Sequence, residues 1–154
     1  MTPTPILVVD DEHAFTEILA MRLSKRGFTV KTAADGKTGL QLLEDDETIE
    51  VAVLDVSMPG MDGIETMKVM KEKRPLVEVV MLTGQGTVNT AVESIKWGAF
   101  NYLIKPCAIE DLSVCIQEAV KHRKNRQAKI LDVRMRPYLS PERRDELIAA
   151  ILKE

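Results

Sequence analysis

Residues 51–63 read VAVLDVSMPGMDG. Four apolar residues, Val51 to Leu54, run straight into Asp55, and the chain then breaks at Pro59, Gly60 and Gly63. A short run without polar alternation has the pattern of a strand buried on both faces of a parallel sheet. A carboxylate at its tip is either an ordinary turn residue or one arm of a site. The ends of the other strands decide between the two.

Working outward, PILVV (5–9) and VEVVML (77–82) repeat the apolar pattern, while FTVKTA (28–33) and FNYLI (100–104) are shorter or more mixed, as edge strands are. Helix-period segments lie between them. Phe15, Ile18, Leu19 and Leu23 share a face of the first, which Gly27 closes. Leu40 and Leu43 mark a second after Asp35 as N-cap, and Ile64, Met67 and Met70 a third. Val88, Ala91, Val92 and Ile95 mark a fourth, and Ile109, Leu112, Ile116 and Val120 a fifth. Strand–helix repeated five times predicts an α/β fold, a doubly wound five-stranded parallel sheet with helices on both faces. Three buried strands and two edge strands suit the order 2-1-3-4-5. Met58, Met61, Met67 and Met70 read as core filler.

A chain of 154 residues, 45% hydrophobic and 29% charged, is large enough to bury a core of its own. No apolar run approaches the roughly 20 residues that cross a bilayer, and the start MTPTPILVVDDE lacks a basic segment followed by an apolar one. The expected location is the cytoplasm, without membrane insertion. Cys107 and Cys115 form no metal-ligand spacing and read as reduced thiols. The net charge of −3 is unevenly spread: residues 1–120 carry 11 Lys+Arg against 19 Asp+Glu, and residues 121–154 carry 10 against 5.

In a sheet of this kind all strands point their C-terminal ends to one edge, where ligands bind. The first strand delivers Asp10 and Asp11 there, the third Asp55, the fourth Thr83, and the fifth Lys105 followed by Pro106. Three carboxylates in one place repel each other, so one holds a proton unless a cation joins them. An all-oxygen set without His or Cys favours Mg²⁺ that keeps some of its water. His13 reads as an exposed first-turn residue rather than a ligand. Lys105 brings a compact positive charge and Thr83 a hydroxyl. Together these groups supply what an aspartyl phosphate requires: a nucleophile, charge neutralisation and a donor.

The motifs LVVDDE (7–12), VLDVSMPGMDG (53–63), VVMLTG (79–84) and YLIKP (102–106), in that order, resemble the receiver domain of bacterial two-component response regulators over about residues 4–124. The resemblance implies the (βα)5 flavodoxin-like receiver fold. It implies that Asp55 is the phosphoacceptor, and that the Ser57 backbone carbonyl joins Asp10, Asp11 and Asp55 around Mg²⁺. It implies that Lys105 contacts the phosphoryl group, with a cis bond to Pro106, and that Thr83 and Tyr102 are the switch pair. Gly84 would leave the approach open, and Ser57 and Gln85 stand where receivers vary and phosphate lifetime is set.

The function expected is a phosphorelay switch that catalyses only its own phosphorylation and dephosphorylation. Its expected partners are a sensor histidine kinase or histidine phosphotransfer protein upstream and an unidentified protein downstream. The alternative is a Mg²⁺-dependent phosphatase of the haloacid-dehalogenase-like class. Such an enzyme is expected to carry an aspartate two positions after its nucleophile, where Ser57 stands here, and no cap domain is apparent. A receiver-like module that has ceased to take phosphate would lack one of the five rim residues, and none is missing.

The expected division is a receiver over residues 1–124 and a helical extension over 125–154 with no independent output domain. KHRKNRQAK (121–129) continues the fifth helix as a basic solvated face, and DNA is not the expected partner because no recognition module follows. In SPERRDELIAAILKE (140–154), Ser140 is an N-cap and Pro141 the first helical residue. Leu147, Ile148, Ile151 and Leu152 then form a stripe. That stripe either folds back on the receiver or meets a second chain, as in a homodimer.

Overall fold

Each apolar run becomes a strand of one parallel sheet. The computed structural model describes residues 3–154. Along the chain follow β1 (Thr4–Val9), α1 (His13–Ser24), β2 (Phe28–Ala33), α2 (Gly36–Asp45), β3 (Val51–Leu54) and α3 (Gly63–Lys73). Then come β4 (Glu78–Thr83), α4 (Val88–Lys96), β5 (Asn101–Ile104), α5 (Ile109–Arg134) and α6 (Pro141–Leu152). The sheet order is β2-β1-β3-β4-β5, as the sequence pattern predicts.

The pleat sends alternate residues to opposite faces. Leu7 and Val9 of β1 join Leu54, Met81, Leu43, Met67 and Met70 in one core, beneath α2 and α3. Ile6 and Val8 join Val53, Val80, Leu23, Leu112 and Ile116 in the other, beneath α1 and α5. Both faces are covered, which is why the central strands carry no polar alternation. Asp35 caps α2 by accepting from the Thr38 amide, and Asp62 caps α3 by accepting from the Glu65 amide. The Lys105–Pro106 bond is cis. Cys107 and Cys115 are free thiols, and His13 is exposed, 3.1 Å from Glu17.

Three elements differ from the sequence reading. The apolar stripe of α4 faces outward: Val88, Val92 and Ile95 are 79%, 62% and 51% exposed, and Ser94 is the buried residue. Periodicity defines a face but not the side to which it turns. On α1, Ile18 is likewise half-exposed, while Leu19 and Leu23 enter the core. The basic run 121–129 is not wholly solvated. Arg126 is 2% exposed, with Nη2 2.9 Å from Glu78 Oε1. A buried carboxylate at the head of β4 draws it inward.

Arg126 also donates to the backbone carbonyls of Leu152 and Leu76. The helix it belongs to runs unbroken past residue 124 to Arg134, and α6 folds back upon it. Ser140 accepts from the Arg143 amide at 3.1 Å. The stripe of α6 packs with Ile130, Val133, Leu139 and Leu76 in a third cluster. Among the described residues, no helix is long and apolar enough to cross a membrane.

Candidate functional site

Register builds the site. Val9 pairs with Leu54 and Thr83 with Ile104, so the strand ends lie side by side and their next residues share one rim. Asp10 and Asp11 follow β1, Asp55 follows β3 and Lys105 follows β5, while Thr83 closes β4. One carboxylate oxygen from each of Asp10, Asp11 and Asp55 can be chosen so that all three lie within 4.8 Å of one another. Asp10 and Asp55 are buried, at 3% and 5% exposure, whereas Asp11 is open to solvent.

Each buried group is held from more than one side. Asp55 Oδ1 accepts from the Ser57 amide at 3.2 Å, and Asp10 Oδ1 accepts from the Glu12 amide at 2.9 Å. Behind Asp55, Gly63 opens α3 so closely that a Cβ there would lie 2.1 Å from the Asp55 carbonyl oxygen. Lys105 Nζ sits 2.7 Å from Asp10 Oδ2, 3.3 Å from Glu12 Oε1 and 3.7 Å from Asp55 Oδ2. It also lies 4.1 Å from the centre of the Phe15 ring, a cation–π contact. Thr83 is wholly buried and accepts from the Gln85 amide at 3.2 Å. Gly84 leaves room, since a Cβ there would be 3.8 Å from the Lys105 side chain.

The charges do not balance. Burial raises the Asp55 carboxyl above its ordinary value. The Thr83 hydroxyl, Lys105 and the Ser57 amide oppose that rise, and the Asp10 charge adds to it. Burial works to lower Lys105, but the hydrogen bond to Asp10 and the charges of Asp10, Asp55 and Glu12 outweigh it and hold the ammonium above its ordinary value. One lysine therefore leaves the carboxylates short of positive charge. An all-oxygen cluster of this kind, with one exposed arm, fits a hard divalent cation that retains water.

Tyr102 turns toward α4: its hydroxyl is 2.8 Å from Thr90 Oγ1, and its ring packs partly against the α2–α3 core. The structure thus brings Asp10, Asp11, Asp55, Ser57, Thr83 and Lys105 to one rim, with Tyr102 behind the β4–α4 loop. Two contributors were absent from the sequence reading of the site. Glu12 was legible as the third acid of LVVDDE, and Phe15 was read only as a helix-face residue.

The sequence profile of the family described as "Response regulator receiver domain" matches residues 6–117. The chain is 36% identical over 116 residues to the regulatory protein AtoC of Escherichia coli K12, a match covering 75% of this chain and 25% of AtoC. A receiver domain protein from Clostridium thermocellum superposes with a TM-score of 0.76 at 34% identity, covering 79% of this chain and 97% of that one. NtrX from Brucella abortus, solved in complex with ADP, superposes with a TM-score of 0.78 at 28% identity. That match takes in 96% of this chain and 33% of NtrX. The chain spans about a quarter of the length of the curated relatives it matches.

Proposed function

The chain belongs to the response regulator receiver domain family, and from that premise we propose that Asp55 accepts a phosphoryl group from a phosphohistidine of a sensor kinase or phosphotransfer protein. The observation that carries this reading is the setting of Asp55. It is a buried carboxylate whose charge Lys105 alone does not balance, at a rim with one open side. In the transfer an Asp55 carboxylate oxygen attacks phosphorus, the P–N bond to the donor histidine breaks, and the imidazole leaves.

Asp10, Asp11 and Asp55, with the backbone carbonyl of Ser57, would hold Mg²⁺. When bound, the ion offsets the negative charge of carboxylates and phosphoryl oxygens. Lys105 orients a phosphoryl oxygen and neutralises part of its charge. The buried hydroxyl of Thr83 donates to another, and Tyr102 registers the change. Ser57 and Gln85 flank the approach of water and influence how long the phosphate lasts. The phosphatase reading gains no support from Ser57 or from the family match.

The chain acts as a cytoplasmic switch whose own chemistry is confined to gaining and losing this phosphate, and it passes the signal to a downstream protein. Residues 1–124 constitute the receiver and 125–154 a helical extension, with α5 crossing the boundary unbroken. The packing of the α6 stripe on its own α5 favours an internal role for that stripe over a homodimer built through it. DNA is not assigned as a partner.

Acetyl phosphate with Mg²⁺ tests the assignment. Intact-mass measurement should show one added phosphate, absent from Asp55→Asn. Undiminished labelling of that variant would remove Asp55 as acceptor.

A further inference from the structure

The first turn of α4 and the ring of Tyr102 share one hydroxyl. Thr90 Oγ1 lies 2.8 Å from the Tyr102 hydroxyl, 3.0 Å from the Thr87 amide nitrogen and 3.0 Å from the Thr87 carbonyl oxygen. A threonine hydroxyl has one proton and two acceptor positions. With its proton on the Thr87 carbonyl, Thr90 can accept from both the Thr87 N–H and the Tyr102 O–H. Thr87 Oγ1 lies 3.1 Å from Thr90 Oγ1 and accepts in turn from the Thr90 amide at 3.1 Å, completing a capping box. In that arrangement Tyr102 donates into the structure that starts α4.

Position 86 makes this arrangement possible. A Cβ on Gly86 would lie 2.6 Å from the Tyr102 hydroxyl and 2.4 Å from Ile104 Cδ1. Any larger residue would push the ring away from Thr90. The helix on the receiving side is lightly held. Its apolar residues Val88, Val92 and Ile95 face outward and only Ser94 is buried, donating to the Thr90 carbonyl at 2.6 Å. With so little apolar burial, polar ties have a large share in setting how α4 lies.

We propose that Thr90 is a positioning residue through which the state of the Asp55 site reaches α4, with Gly86 as the clearance that admits the Tyr102 ring. The proposal rests on the reading of Asp55 as phosphoacceptor. A ligand shifts a conformational equilibrium only through contacts that differ between states. The Tyr102–Thr90 bond is such a contact, because it exists only while the ring lies over Gly86. Losing it frees the first turn of α4 from the sheet while leaving the capping box intact.

Amide hydrogen exchange across residues 87–96, with and without acetyl phosphate and Mg²⁺, separates the roles. Thr87→Val removes a capping hydroxyl and spares the tyrosine bond. Thr90→Val removes both, and Thr90→Ser keeps both. The phosphate-dependent change in protection should survive in Thr87→Val and Thr90→Ser and be lost in Thr90→Val. Adding Tyr102→Phe to Thr90→Val should cause no further loss. Intact mass should show Asp55 labelled in the Thr87 and Thr90 variants. Labelled Thr90→Val that responds as the unaltered chain does, or Thr87→Val that fails alongside it, overturns this proposal alone. An unaltered chain that takes up no phosphate overturns the Asp55 assignment, and this proposal with it.

Discussion

Asp55 is raised above its ordinary carboxyl value by burial, and this has a sign that calorimetry can read. A carboxyl whose value is higher in the folded than in the unfolded chain stabilises the fold below its unfolded value of about 3.8, and that contribution disappears as pH rises through the folded value. At pH 7 without Mg²⁺, Asp55→Asn should therefore melt above the unaltered protein, and its advantage should shrink as pH falls toward 4. Saturating Mg²⁺ should reverse the order, since the ion stabilises the chain with the fuller carboxylate set. A variant that melts lower at pH 7 without the ion would contradict this account of the rim. The rim residues were legible because strand ends in a parallel sheet converge, and each of them stands at or just beyond the end of a strand pattern. Phe15 was not, because a residue on a helix face gives no sign in sequence of a lysine from β5 lying over it.

Among the elements, α3 is placed by the closeness of its first residue to the backbone of Asp55. Gly63→Ala should cost about 1–3 kcal/mol in urea unfolding, the usual range for overpacking, and should also slow labelling of Asp55. Loss of stability with labelling intact would separate the helix start from the site. The three inner strands were legible as apolar runs and the two outer ones as shorter or more mixed segments, all to within a residue at their ends. The outward turn of α4 was not, because its spacing of Val88, Val92 and Ile95 reads the same whether the stripe faces core or solvent. The stripe of α6 was legible as a face without its partner, which proved to be Ile130 and Val133 of α5. Ile151→Ala should raise amide exchange in residues 141–152 and leave the sheet protected, since the third cluster is separate from the two main cores. Equal loosening of β1 and β3 would show the three clusters to be one cooperative unit.

Over the whole molecule, a third buried carboxylate lies at the opposite end of the sheet from Asp10 and Asp55. Glu78 is 1% exposed and meets Lys71, Arg126 and His122, which come from α3 and α5. Its place inside VEVVML was a sequence signal, because a lone acid in an apolar strand requires partners, but two of the three, His122 and Arg126, lie 44 and 48 positions away. Glu78→Ala would leave Lys71 and the buried Arg126 without their anion and should cost about 3–5 kcal/mol in urea unfolding. A loss under about 1 kcal/mol would mean that the cations find water instead. The cluster anchors α5 midway along its 26 residues, a rod of about 39 Å. Its first half lies on the sheet through Leu112 and Ile116, and its second carries α6 on Ile130 and Val133. Pinned near its middle, such a rod turns with two arms of about 20 Å. A tilt of about 5° about that point moves either end by about 1.7 Å. With Glu78 as fulcrum, an angle set at the receiver end is delivered as a distance at the tip of α5, and α6 rides on it.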